Sequence, residues 1–310
     1  MSRWPATEAA PGCLDLDPLS RGRLSLEGLS LGDAFGEQFF ASSRPISDCV
    51  RERRLPPAPW HYTDDTIMAC SILEVLASAS HIDQDLLAAR FAERYRQAPG
   101  RGYGAMAHKI LRALAAGQDW RRVSAAAFGG QGSMGNGAAM RVAPVGAYYA
   151  SDPQRVAREA ARSAEVTHAH AEGIAGAIAV AAAAAQAARG IRSRSEILEA
   201  ALAAVPAGET ATGLRRALDL GFDVEPPRAA SVLGSGWRVT APDTVPFALW
   251  CAARSAGDFQ EAMWTVVAGG GDLDTNCAIV GGIVVLSDAG RSLPALWLER
   301  RERLPTLGLS

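Results

Sequence analysis

Apolar residues recur at helical spacing along most of the chain, and alternating strand patterns are nearly absent, so the pattern predicts an all-α protein. Leu24, Leu26, Leu29, Leu31, Ala34 and Phe35 predict a buried helix that carries the stretch Gly32-Asp33-Ala34-Phe35-Gly36. Further helices are predicted over 65–78, 83–95 (with Asp83 as N-cap), 105–116, 152–164, 245–253 and 258–267. An alanine-rich helix is predicted to start near Thr167 and run to Ala188, and the apolar run 277–286 makes another. Pro45, Pro56, Pro57 and Pro59 break residues 41–61 into a surface loop carrying Arg44, Arg51, Arg53 and Arg54. Residues 191–240 read as two short helices and a Pro/Gly-rich connection, from Glu225-Pro226-Pro227 to Gly234-Ser235-Gly236-Trp237, that is either a functional loop or a tie across the molecule. Residues 1–20 lack periodicity and read as a flexible arm, leaving 21–310 as the folded domain.

Composition changes this picture little. The 310 residues are 48% hydrophobic and 21% charged, the balance of a soluble globular protein. A net charge of -2 gives no field for polyanions, so nucleic acid is not indicated as a partner. The five cysteines (Cys13, Cys49, Cys70, Cys251, Cys277) form no C-x-x-C pair and read as reduced thiols of a cytoplasmic protein. No unbroken apolar segment of a signal peptide stands in 1–18, and the longest apolar stretch, 173–185, is shorter than the roughly 20 residues of a membrane span. It is expected to be a buried helix, with no membrane partner.

Candidate chemistry lies in two acidic turns about two hundred residues apart. Gly269-Gly270-Gly271-Asp272-Leu273-Asp274-Thr275-Asn276 opens into the run 277–286, and Tyr62-Thr63-Asp64-Asp65-Thr66 opens into the run 67–76. Asp64, Asp65, Asp272 and Asp274, with the hydroxyls of Thr63 and Thr275, supply hard oxygen ligands suited to two divalent cations. If the turns meet, unit charges about 4 Å apart repel by roughly 4 kcal/mol at an effective dielectric of 20, and two such cations would balance them. The competing explanation makes Asp64 and Asp274 ordinary helix N-caps, although capping does not require the second turn's glycines and paired acids. Asp33, in an apolar setting, needs a partner: it either orients a metal-bound water or bonds to a loop.

A second informative stretch is Phe128-Gly129-Gly130-Gln131-Gly132-Ser133-Met134-Gly135-Asn136-Gly137. So many glycines cannot form a stable helix or strand, since each costs about 0.5–1 kcal/mol against alanine there. Their backbone amides suit a phosphate or diphosphate, with a purely structural turn as the alternative. No Gly-Lys-Ser/Thr ends the stretch and no strand precedes it, so neither a P-loop nor a dinucleotide fingerprint is present. His168 and Glu172 are four apart and would share a helical face. Without further imidazole or thiolate ligands, a zinc site is disfavoured, and His168 reads as a ligand-contacting or buried hydrogen-bonding side chain.

Five stretches together resemble the ADP-ribosylglycohydrolases: Gly32-Asp33-Ala34-Phe35-Gly36, Thr63-Asp64-Asp65-Thr66, the run from Gly132 to Arg141, Thr167-His168-Ala169-His170 and Gly270-Gly271-Asp272-Leu273-Asp274-Thr275. The likeness spans roughly residues 22–290. It implies a compact single-domain orthogonal helical bundle with a dinuclear metal cleft holding magnesium or manganese. Thr63, Asp64, Asp65, Asp272, Asp274 and Thr275 would be the metal ligands, and Asp33, Asp64 or Asp65 would take a proton from water. Phe128, Gly132, Ser133, Met134, Gly135, Asn136 and Gly137 would hold ADP-ribose, with His168, Gly102 and Gly104 lining the same pocket. The implied activity is metal-dependent release of ADP-ribose from a modified acceptor, most naturally a protein. A non-catalytic ADP-ribose-binding or structural protein on the same fold, or a dinuclear-metal nucleotide phosphohydrolase, are the alternatives. Two departures stand out. Phe40 occupies the position, seven residues after Asp33, where several members carry glutamate, leaving Glu37 as the nearby acid, and Leu273 replaces a frequent threonine.

Overall fold

The computed structural model describes residues 10–11, 13–191, 193–287 and 293–307. Among them, sixteen α-helices and a single pair of two-residue strands make up the regular structure, apart from one short 3-10 turn. Residues 1–9 and 12 of the expected arm lie outside the described part. The rest of that segment is tied down: Ala10–Pro11 pairs antiparallel with Gly190–Ile191, and the first helix, Pro18–Glu37, starts at a proline behind an Asp17 N-cap.

That first helix and the helix Leu273–Ser287 form the axis of the molecule. The second of these is apolar all round and buried from Thr275 to Ser287, because four other helices enclose it: Pro18–Glu37, Ala171–Arg189, Ala241–Arg254 and Phe259–Gly269. Glycines set the closeness of the pair. A Cβ at Gly28 would meet the Gly281 carbonyl, one at Gly32 the Cys277 carbonyl, and one at Gly36 the Leu273 carbonyl. The three contacts descend antiparallel along one face, four residues at a time, as the Gly32/Gly36 spacing anticipates. Gly32→Ala is therefore expected to cost at least about 1–3 kcal/mol, since a backbone carbonyl cannot swing aside as a side chain would. Gly100→Ala, where an added Cβ meets nothing within 4 Å, should stay within about 0.5 kcal/mol. Urea unfolding of the two variants checks the contrast.

The alanine-rich helix, Ala171–Arg189, is long and apolar enough to pass for a membrane span, yet most of its surface is buried among neighbouring helices. Two expectations need correction. The 41–61 loop contains a helix, Ile46–Glu52, and 191–240 holds three helices rather than two, the last of them Pro226–Leu233. Pro45 is the N-cap of the first of these, and Pro226 and Pro227 open the last, where their missing N–H groups cost nothing and their fixed φ favours the first turn.

Candidate active site

The two acidic turns meet because the helices carrying them are joined at their ends. Gly36 lies against the Leu273–Asp274 backbone, and one turn earlier Asp33 reaches the start of the helix Asp64–Ala79. Both Asp33 oxygens accept from the Thr63 amide at 3.0 Å, and Oδ2 also accepts from the Thr66 amide at 3.0 Å and the Thr66 hydroxyl at 2.6 Å. Of the two roles open to Asp33, the structure thus shows the bond to the loop. The capping explanation for Asp64 fails: Thr63 is the N-cap, its hydroxyl accepting from the Asp65 amide at 3.3 Å, and Asp64 is the first helical residue. A second strap fixes this entrance from behind. The Trp60 amide donates to the Arg300 carbonyl at 2.7 Å, and Glu302 accepts from the Tyr62 amide at 3.0 Å while pairing with Arg101.

Asp64, Asp65, Asp272, Asp274 and Thr275 all line one cavity of about 690 Å³. Gly102, Gly104, Phe128, His168 and the whole run from Gly132 to Gly137 line it too. Thr63 and Asp33 do not; they are buried behind the carboxylates. Gly102, at φ 88°, lies beside Thr63 and Asp64, and its left-handed backbone would strain any side chain placed there.

Electrostatics show how crowded the acids are. Burial, then Asp33, pushes the Asp64 carboxyl up to about 8. Asp65 is raised well above the usual range by burial and by Asp33, Asp274, Asp64 and Asp272 in turn; Asp274 is raised by burial, then Asp272 and Asp33. Burial likewise lifts Asp33 to about 7, although its bonds from Thr66 and Thr63 pull the other way. Two buried oxygens, Asp65 Oδ2 and Asp274 Oδ1, accept no hydrogen bond. Among the described residues no three His, Cys, Asp or Glu side chains are already drawn together as a ligand set. The four carboxylates line one space without closing on a common point.

The glycine-rich stretch breaks regular structure, as expected: the helix Trp120–Gly130 loses helical φ/ψ at Ala127, Phe128 and Gly129, and the loop after it ends in a 3-10 turn, Asn136–Ala138. Phe128 adopts φ 50°, unusual for a non-glycine residue, and Gly129, Gly130 and Gly132 follow at 71°, 93° and 77°. His168 sits beneath the loop, its Nε2 3.2 and 3.1 Å from where Cβ atoms at Gly135 and Gly137 would lie. Burial, then Arg141, depresses this imidazole to about 3, so it is neutral. Its expected face-sharing with Glu172 does not occur. His170 caps the helix that starts at Ala171, so His168 precedes it, and Glu172 instead accepts from the Glu209 and Thr210 amides at the entrance of the helix Glu209–Leu220.

Three features go beyond the sequence expectations, which placed Asn136 only among the residues holding ADP-ribose. Asn136 joins the glycine loop to the acidic turn, donating to Asp272 Oδ2 at 2.7 Å and to the Thr244 hydroxyl at 3.1 Å. Arg141 is a fully buried cation beside Asp64 and Asp65, donating to the Ser163 carbonyl and the Thr167 hydroxyl and stacked 4.6 Å from the Phe91 ring centre. Arg238 and Val239 form part of the cavity wall; the Gly234-Ser235-Gly236-Trp237 run next to them was the available signal. Phe40 is 54% exposed and, like Glu37, lies outside the cavity lining, although Glu37 is close enough for Asp272, after burial, to raise its carboxyl. Leu273 turns into the apolar core, away from the acids.

A helical domain with paired acidic turns and a glycine loop around one cavity defines a class of hydrolase fold, and comparison with known proteins assigns it. The family profile described as ADP-ribosylglycohydrolase matches residues 15–308, and the chain belongs to that family of glycosidic hydrolases. Among its relatives, the ADP-ribosylhydrolase ARH3 of Bos taurus is 30% identical over 92% of this chain and 89% of its own. The Homo sapiens protein of the same name is 30% identical over 92% and 90%. The ADP-ribosylarginine hydrolase Tri1 of Serratia proteamaculans is 24% identical over 96% and 81%. A solved structure described as an ADP-ribosylglycohydrolase-related protein complex superposes with a TM-score of 0.62 at 27% identity, covering 92% of this chain and 93% of that one.

Proposed function

We propose that the protein hydrolyses the bond between the ribose anomeric carbon of ADP-ribose and a modified side chain of a protein acceptor, with two divalent cations held at the acidic turns. The observation that carries this reading is the pair of partnerless buried oxygens, Asp65 Oδ2 and Asp274 Oδ1, on opposite turns of a cavity that also holds the glycine loop. Buried carboxylate oxygens without donors are costly, and a hard cation is a partner that suits these two. Asp64, Asp65, Asp272, Asp274 and Thr275 would hold the ions, magnesium or manganese, with Thr63 fixing Asp65 from behind. When bound, such ions polarise ribose oxygens and lower the pKa of water.

The chain's own groups do the rest. Cleavage builds oxocarbenium-like charge on the sugar. Asp64 or Asp65, both lining the cavity, takes the proton from the attacking water. Asp33 acts through others: it positions Thr63 and the first turn of the helix that presents both acids. Backbone amides of the loop from Gly132 to Gly137 receive the diphosphate, Phe128 offers an exposed aromatic face to the base, and Asn136 sets the distance between loop and acids. Binding energy gathered at these remote groups orients the reacting carbon.

A panel of proteins ADP-ribosylated on arginine or on serine, incubated with and without chelator, tests the proposal. Release of intact ADP-ribose from at least one substrate, abolished by chelation and restored by magnesium or manganese, is the expected result. Release of AMP, or turnover indifferent to chelator, contradicts it. The relatives' names point to an ADP-ribosylated acceptor, and the identity of the responsive substrate then assigns the linkage.

A further inference from the structure

The segment around Gly234 to Thr240 is tied at both ends to the cleft. On one side the Ser235 carbonyl accepts from the Asp272 amide at 2.9 Å and from Asn276 Nδ2 at 2.8 Å. On the other, the Val239 carbonyl accepts from the Asn136 amide at 3.2 Å, and the Ala241 amide donates to the Met134 carbonyl at 2.9 Å. One anchor is thus on the acidic turn and the other on the glycine loop. Between them the chain makes a tight turn, closed by the Val239 amide donating to the Gly236 carbonyl at 2.8 Å and by the Arg238 amide donating to Asp243 at 2.9 Å. Val239 is held at φ 55°, a conformation β-branched residues avoid, and such strain collects at functional rims. Trp237 at the tip is 78% exposed, more than any other large apolar side chain described.

The charge on this turn is what the cavity lacks elsewhere. Among the described residues that line it, Arg141 and Arg238 carry permanent positive charge. Arg141 is committed, enclosed between the Ser163 carbonyl, the Thr167 hydroxyl and the Phe91 ring and facing Asp64 and Asp65. The exposed Arg238 guanidinium, by contrast, makes no ion pair and no hydrogen bond to any described residue. With two divalent cations bound, the four ionised carboxylates and the ions sum to zero formal charge, so the acidic side offers a diphosphate no net attraction. A diphosphate at the glycine loop then finds neutral amide donors and one available cation, on the segment hydrogen-bonded to that same loop.

We infer that Arg238 is a diphosphate-binding residue, its guanidinium completing the amide cradle of the glycine loop from the neighbouring turn. Arginine suits this task because its planar fork binds phosphate oxygens two at a time. The inference rests on the ADP-ribose reading above and adds to it a cation that no motif of the sequence reading assigned.

Titration calorimetry on the magnesium-loaded protein separates the two. Wild type, Arg238→Gln and Arg238→Lys are each titrated with ADP-ribose and with adenosine, which keeps the base and a ribose but has no phosphate, at low and high salt. For Arg238→Gln, ADP-ribose affinity should fall about tenfold or more, the size of a lost charge-assisted hydrogen bond, with a flatter salt dependence. Adenosine affinity should not change, and Arg238→Lys should fall between the other two proteins. If wild type binds ADP-ribose and Arg238→Gln binds it equally well, or if both ligands weaken together, the role given to Arg238 is wrong while the ligand reading stands. If wild type binds no ADP-ribose, the ligand reading itself fails and takes this role with it.

Discussion

Asp274→Asn should lower hydrolysis of an ADP-ribosylated substrate by about 10³-fold or more, since a Lewis acid contributes several kcal/mol to the transition state and each 1.36 kcal/mol is a factor of ten. The same substitution should raise the melting temperature of the metal-free protein. Asp274 Oδ1 is buried with no donor, and burial, Asp272 and Asp33 all disfavour its charge. An amide of the same shape removes that repulsion, but it also removes an anionic ligand. A structural carboxylate would behave oppositely, because losing it would destabilise the fold and leave chemistry intact. Steady-state turnover paired with a thermal melt in chelator distinguishes the two. Retained activity, or a lower melting temperature, contradicts the role assigned to this residue.

The second large effect is a stability that depends on pH in an unusual direction. Asp64 is raised to about 8 and Asp33 to about 7 from an ordinary 3.8. In the window between, the folded protein keeps protons that the unfolded chain releases. The stabilisation these groups give is therefore complete below about pH 4 and is lost as pH rises through 7 and 8. His168 works the other way. With a folded value of about 3 against an ordinary 6.5, it supports the fold above pH 6.5 and withdraws that support as pH falls toward 3. Asp65 and Asp274 are raised as well, so the acids outnumber the imidazole. Metal-stripped protein should accordingly melt at progressively lower temperature from pH 5 to pH 8. Magnesium or manganese at 100 times its dissociation constant should restore roughly 5 °C or more at pH 8, since such binding contributes about 2.7 kcal/mol. The rescue should shrink toward pH 5, where protons compete for the same oxygens. A melting temperature that rises with pH in chelator, or that ignores divalent cations, would count against the crowded-acid description.

Much of this arrangement is legible in the chain because local rules and tertiary packing agree. The spacing of Gly32 and Gly36 announces a close helix approach, and the partner backbone at Cys277 and Leu273 is there. Paired acids at the entrances of two apolar runs announce a shared site, and all four carboxylates line one cavity. Periodicity finds the long helices but fails where proline begins a short one, at Ile46–Glu52 and Pro226–Leu233, because the residue that breaks a helix interior also starts a helix well. The pairing of His168 with Glu172 failed for a related reason. Four-residue spacing means proximity only inside a helix, and the cap at His170 puts the boundary between them. Asn136 and Arg141 fall within the glycine-rich motif, yet their partners Asp272 and Ser163 are fixed by tertiary contacts that no local spacing encodes. Arg238 is hardest to see, because an exposed arginine in a loop becomes informative only once both ends of the loop are known to be tied to the cleft.

Anomalous diffraction from crystals soaked in manganese tests the central claim most directly. The account predicts two strong peaks in the cavity between Asp64 and Asp65 on one side and Asp272, Asp274 and Thr275 on the other, both lost in Asp274→Asn or reduced to one. Crystals that bind no manganese there, or bind it only at surface acids, would contradict it.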